Sequence, residues 1–118
     1  MKDFRDLSVW HKAHELTLDV YRVTAAFPKQ EMYGLTSQLR RACSSIPANL
    51  AEGAEERRCR INLLLFDSNG LSNELEYHLL LAKDLNFLKP EEHCALANRT
   101  TEIKRMLFAL VKKLKADS

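Results

Sequence analysis

The sequence predicts an all-α fold, one domain built from four helices, and three observations carry that expectation. Three glycines and three prolines in 118 residues leave little turn chemistry for a many-stranded sheet, while Leu, Ala, Glu, Lys and Arg supply helix formers. Helical periodicity fits nearly everything after Leu7, with breaks at Phe27 to Gln30, around Gly53 to Arg60, and at Asn86 to Pro90. The second segment holds an internal proline, Pro47. Such a proline removes one backbone hydrogen bond and costs roughly 3 kcal/mol, so the second helix is expected to be kinked there. A chain of this length buries a single core without metal or disulfide support, which makes residues 1–118 one domain.

Ser8 is placed to cap the first helix. Trp10, Ala13, Thr17, Val20, Thr24 and Phe27 then recur at intervals of three and four, widened by Leu16, Tyr21 and Val23, and form a core stripe.

In the second helix Leu35, Leu39, Ala42, Ile46 and Leu50 make the core face, and Ser37, Ser44, Ala48 and Ala51 a small-residue face opposite. Arg40 and Arg41 flank the small face.

The third helix separates its apolar residues into two groups on nearly opposite sides, at about 100° per residue. Ile61, Leu64, Leu71, Leu75, Leu79 and Ala82 form one group; Leu63, Phe66, Gly70, Tyr77 and Leu81 form the other, with Glu74 among them. A helix of a lone small bundle buries one stripe. The second stripe therefore predicts contact with another subunit, and an arginine at position 40 or 41 is expected to pair with Glu74 in a partly buried ion pair.

Pro90 suits the first turn of the fourth helix, with Glu91 and Glu92 beside the N-terminal dipole. Its core face is Leu96, Ile103, Met106, Leu107, Leu110 and Leu114. Arg99, Lys104, Arg105, Lys112, Lys113 and Lys115 meet only Glu102 between positions 99 and 115, a local balance of +5. That surface suits phosphates; the competing reading is a solvated face whose cations complement the C-terminal dipole. No aromatic residue alternates with these cations, so base stacking is not suggested, and any nucleic-acid contact is expected to be to backbone and to weaken steeply with salt.

The whole chain carries 18 Lys and Arg against 16 Asp and Glu, a net +2, far from the balance of a dedicated nucleic-acid domain. Cys43, Cys59 and Cys94 are odd in number and lack a CxxC pair, which reads as reduced thiols rather than a disulfide framework or zinc site. The N-terminal residues lack an apolar signal region and no apolar run reaches the length of a membrane span. A soluble cytoplasmic protein, with no membrane partner, is the expectation.

Chemistry-bearing clusters are weak. His11, His14 and Glu15 share a side of the first helix, but not as HExxH and without a third ligand cluster. Glu74 and His78 are spaced by four, unlike the Glu-x-x-His pairs of di-iron bundles. There is no GxSxG, no glycine-rich phosphate loop and no reason for a Cys and His to be adjacent, so neither catalysis nor a cofactor is expected. Pro47, Asn49, Glu52 and Gly53 are read as a structural motif, with Ser44, Ser45 or Asn49 satisfying backbone groups that the proline frees near Cys43.

Particular strings carry a resemblance. Phe4 through Leu7, Val9-Trp10, Phe27-Pro28, Tyr33-Gly34-Leu35, Arg40-Arg41-Ala42, Ser45-Ile46-Pro47-Ala48-Asn49, Ala51-Glu52-Gly53, Glu74-Leu75-Glu76 and Ile103 to Leu107 resemble the bacterial four-helix bundle proteins also called 23S rRNA intervening-sequence proteins. Some of these are encoded within sequences that interrupt that rRNA gene. The resemblance covers nearly the whole chain and is most specific from Arg40 to Gly53. It implies an up-and-down antiparallel bundle assembled as a ring-like homopentamer. It also implies kinship to the accessory variability determinants of diversity-generating retroelements, basic pentamers that bind a reverse transcriptase and nucleic acid. Two function classes follow: a non-enzymatic oligomeric scaffold with Arg40, Arg41, Ser44, Ala48, Ala51, Leu63, Phe66, Glu74, Tyr77 and Leu81 as its subunit interface, and an RNA- or DNA-binding accessory protein acting through the last helix, with a reverse transcriptase as protein partner.

Overall fold

Four helices follow one another with short connections: α1 (Ser8–Thr24), α2 (Leu35–Glu56), α3 (Ile61–Asp84) and α4 (Pro90–Asp117). The computed structural model describes residues 4–56 and 61–117, with side chains given at 4–52, 70–113 and 116. Each helix packs on the next and α4 returns to close against α1, while among the described residues the diagonal pairs make no close approach. This is an up-and-down four-helix bundle, 46 Å along its long axis. That length matches the rise of α4, whose 28 residues extend about 42 Å at ~1.5 Å per residue.

Each helix end has a local cause. Leu7, not Ser8, is the residue before α1, and no side chain caps it; Ser8 is the first helical residue, which corrects the cap expected from sequence. The chain then turns through Phe27, still buried although it lies beyond the helix. At the start of α2 the Glu31 carboxylate accepts the Leu35 N–H at 3.1 Å. A Cβ at Gly34 would sit 2.8 Å from that Glu31 oxygen, so glycine leaves room for the cap.

The end of α3 is a Schellman motif: Phe87 N–H reaches the Ala82 carbonyl at 2.8 Å and Asn86 N–H the Lys83 carbonyl at 2.9 Å. Asn86 takes the left-handed position with φ 65°. Phe87 then meets Phe27 with ring centroids 5.5 Å apart, which ties the two turns at this end. Entering α4, Glu92 reaches back to accept the Lys89 N–H at 2.9 Å, one half of a capping box.

The core follows the predicted stripes. Ala13, Leu16 and Val20 from α1, Leu39, Ile46 and Leu50 from α2, Leu75 and Leu79 from α3, and Ile103 and Leu107 from α4 are all buried in one cluster. Tyr21 is the exception: assigned to the stripe, it is exposed and lies under the Arg40 guanidinium at 4.6 Å.

Helix α2 runs without interruption through Pro47, so the proline does not break it. The carbonyl freed at Cys43 finds a donor outside its own helix, in the Thr17 hydroxyl at 3.3 Å, rather than in Ser44, Ser45 or Asn49. Ser44 and Ser45 instead turn their hydroxyls to the Arg41 carbonyl. Gly53 falls within α2 and not past its end; its surroundings, like Cys59 and the side chains of Ile61, Leu63, Leu64, Phe66, Leu114 and Lys115, lie outside the described positions.

Candidate functional site

Several cations singled out in the sequence close the seams between helices. Across α1 and α2, Arg40 donates from Nε to the Thr24 hydroxyl at 2.9 Å and from its terminal nitrogen to the Tyr21 carbonyl at 3.3 Å. Across α2 and α3, Arg41 stands 3.7 Å from Glu74. Lys104 of α4 pairs with Glu76 of α3 at 2.5 Å and donates to Asn73 at 2.9 Å. The seam between α4 and α1 holds, among the described residues, Arg99 with Asp19 at 2.5 Å and Lys12 with Glu102 at 3.2 Å.

This placement divides the candidate residues. Arg40 is half-buried and spent within the chain, so Arg41 alone partners Glu74. That pair is 71% and 37% exposed, so within one chain it contributes no more than a surface ion pair, about 0–1 kcal/mol. On α4, Arg99 and Lys104 are likewise engaged. Arg105, Lys112 and Lys113 are exposed and make no ion pair among the described residues.

One aromatic on this helix escaped the sequence reading. Phe108 is 68% exposed, between Arg105 and Lys112 on the outward side. The signal that would have found it is angular: at about 100° per residue, position 108 falls on the side occupied by the cations and away from Ile103 and Leu107.

The outward side of α3 also carries apolar groups. Tyr77 is 58% and Leu80 41% exposed, and around Gly70 nothing lies within 4 Å of a Cβ position. Leu81 is only partly buried against the core. Beside them α2 presents exposed Ala48 and half-buried Ser44, Asn49 and Ala51, with Glu52 exposed and Pro47 buried.

The other clusters hold no assembled chemistry. His14 stacks on Trp10 at 5.0 Å and His11 meets the same indole edge-on at 5.3 Å. Among the described residues no group of three His, Cys, Asp or Glu converges to hold a metal. His78 is buried and its Nδ1 has no hydrogen-bond partner there. A groove of about 110 Å³ between α1 and α4 is lined by Lys12, Glu15, Arg99, Glu102 and Ile103, two cations against two acids. The Arg99 hydrogen bond holds the Asp19 carboxyl below the usual range, opposed by desolvation and helped by the charges of Arg99 and Arg22. Burial pushes the Cys43 thiol up to about 11, against the Thr17 hydrogen bond and the Arg99 charge, so it is no nucleophile at neutral pH. No helix of the described residues is long and apolar enough to cross a membrane.

The profile of the 23S rRNA-intervening sequence protein family matches residues 5–109. The chain belongs to that family. The match contains Arg99, Lys104, Arg105 and Phe108, and ends before Lys112. A crystal structure of a protein of unknown function from the S23 ribosomal protein family of Bacteroides thetaiotaomicron is similar over 88% of this chain and 95% of that one, with 27% identity and a TM-score of 0.75. Among curated proteins none matches. Family and fold thus agree with the resemblance carried by the strings around Arg40 to Gly53.

Proposed function

We propose that this member of the family is a non-enzymatic cytoplasmic interaction module that works as a homo-oligomer, with the outward side of α3 as its subunit contact. The observation that carries the reading is Tyr77, 58% exposed on a helix whose opposite side, at Leu75 and Leu79, is fully buried. Burying such an aromatic against a second subunit gains hydrophobic free energy that one chain leaves unused, at about 25 cal/mol per Å² of apolar surface. The small residues Ser44, Ala48 and Ala51 on neighbouring α2 favour close approach of another helix. The Arg41–Glu74 pair beside them would be desolvated by such a contact and would fix its geometry more than strengthen it. Five copies is the number implied by the resemblance to the intervening-sequence proteins, and a ring requires the head-to-tail kind of interface.

Sedimentation velocity and native mass spectrometry test this. The expected wild-type species is a closed oligomer of five chains, and Tyr77→Ser, Glu74→Ala or Arg41→Ala shifts it toward smaller species while the helical spectrum is kept. A wild type that stays monomeric at micromolar concentration rejects the reading.

A second reading is a nucleic-acid-binding accessory protein, with a reverse transcriptase as its protein partner. It is favoured by Arg105, Lys112 and Lys113, exposed and without an ion pair among the described residues. In an oligomer these charges would repeat around the assembly and raise the effective concentration of phosphate contacts. Gel shifts with structured RNA, single-stranded DNA and duplex DNA at low salt test it, and no shift with any of them removes it.

A further inference from the structure

We propose that Phe108, bracketed by Arg105 and Lys112, is a stacking site for an unpaired base of single-stranded RNA or DNA. The inference rests on the nucleic-acid reading above and adds what that surface recognises.

A phenylalanine left 68% exposed contributes little to folding, and the exposed residues one turn before and after it on α4 are cationic. Lys104, Arg105 and Lys112 stand four before, three before and four after it, within one helical turn on either side. Lys104 is held by Glu76 and Asn73, which leaves Arg105 and Lys112 available. Both are exposed and share the outward side with the ring, within about 60° of it at ~100° per residue. No acid occurs from Ile103 to Ala116. A surface for an apolar protein partner would surround the ring with further apolar groups and a polar rim. Among the described residues, the exposed side chains one turn before and after the ring on α4 are two cations, Arg105 and Lys112, the complement of a ligand that is both π-faced and anionic.

Nucleic acid meets that description, and the single-stranded form meets it best. In a duplex each base face is covered by its neighbours, so a ring presented from a helix surface reaches a base face only where bases are unstacked. Arg105 and Lys112 lie about 10 Å apart along the helix at ~1.5 Å per residue, one on each side of the ring. They hold backbone phosphates on either side of the stacked nucleotide, and Arg105 adds a planar cation suited to phosphate. Such a base contact adds to the backbone contacts expected of this helix from sequence.

The test is fluorescence anisotropy with labelled single-stranded RNA, single-stranded DNA and the matching duplexes, each about 20 nucleotides, from about 50 to about 200 mM salt. Wild type is compared with Phe108→Ala, Phe108→Trp and the double variant Arg105→Gln/Lys112→Gln. Expected results are tighter binding of single strands than of duplex and a loss of roughly 5- to 100-fold for Phe108→Ala with an unchanged salt slope. Phe108→Trp retains binding, and the double variant has a salt slope shallower by about 1.4, near 0.7 per lost single-strand contact. The RNA and DNA arms show which sugar is preferred. Binding that ignores the Phe108→Ala change, or favours duplex, overturns the stacking site and leaves the broader nucleic-acid reading standing. Absence of binding by wild type at low salt removes both. A smaller sedimenting species for Phe108→Ala overturns the site by assigning the ring to a subunit contact instead.

Discussion

The Thr17 hydroxyl lies 3.3 Å from the Cys43 carbonyl oxygen, the acceptor four residues before Pro47 that has lost its helical donor. The same hydroxyl is 2.8 Å from the Ala13 carbonyl, which already has a helical partner, and 3.4 Å from the Cys43 sulfur, so its single proton is divided among three acceptors, of which the Cys43 carbonyl is the orphaned one. A helix-interior proline is thereby tolerated through a side chain of the neighbouring helix. Thr17→Val should cost about 1–2 kcal/mol, the penalty for stranding a buried carbonyl plus the lost bond. In a Pro47→Ala background residue 47 regains its N–H, and the Thr17→Val cost should fall to about half or less. Urea-unfolding midpoints of the four proteins measure this coupling, and equal costs in both backgrounds would show that Pro47 and Thr17 are unconnected.

Asn86 holds the left-handed residue of the Schellman motif at φ 65°. Asn86→Gly should be neutral or raise stability by up to about 1 kcal/mol, and Asn86→Ala should lower it by about 1 kcal/mol, since a Cβ is disfavoured there and alanine lacks the local hydrogen bonding of asparagine. Thermal unfolding ranks the three proteins Gly ≥ Asn > Ala.

Asp19 links α1 to α4 through Arg99. Its folded-state pKa is lowered, so the carboxylate contributes stability above the unfolded pKa of about 3.9 and loses it as pH falls through the lower folded value. Wild type should therefore exceed Arg99→Gln in stability near neutral pH, and the difference should shrink progressively as pH falls below about 3.9, the unfolded value. Chemical denaturation across that range reads it. A difference that persists undiminished in acid would assign the effect of Arg99 to packing.

Cys43 is buried with its thiol pushed up to about 11, whereas Cys94 is exposed. In a Cys59→Ser background, a thiol reagent at neutral pH should modify Cys94 alone in the folded protein. Cys43 should react only at the rate of opening or unfolding. Reaction of both thiols at similar rates would mean that the Thr17–Cys43 region opens far more readily than its packing implies.

Much of the architecture was legible because helix periodicity and turn residues are local signals. Leu35, Leu39, Ala42, Ile46 and Leu50, the predicted core face of α2, are all buried, and Pro90 begins α4 as its position requires. The failures have physical causes. Ser8 has the chemistry of a cap but falls one residue inside the helix. Tyr21 follows the apolar spacing, yet its ring serves the amphipathic role of a platform for Arg40, a role set by a residue 19 positions away. The cations of α4 look alike in sequence, and only the positions of Asp19, Glu76 and Asn73 on other helices separate Arg99 and Lys104 from Arg105.

By itself the sequence determined four helices, their stripes and, through the strings around Arg40 to Gly53, the family, because propensity, periodicity and motif identity are properties of neighbouring residues. Only the tertiary structure decided which charges are satisfied inside the bundle, which donor rescues the Cys43 carbonyl, and that Phe108 faces outward beside Arg105 and Lys112, cations without an ion pair among the described residues. Those outcomes depend on distances between residues far apart in the chain, and a hydrogen bond or ion pair exists only where packing brings its two groups within a few ångströms.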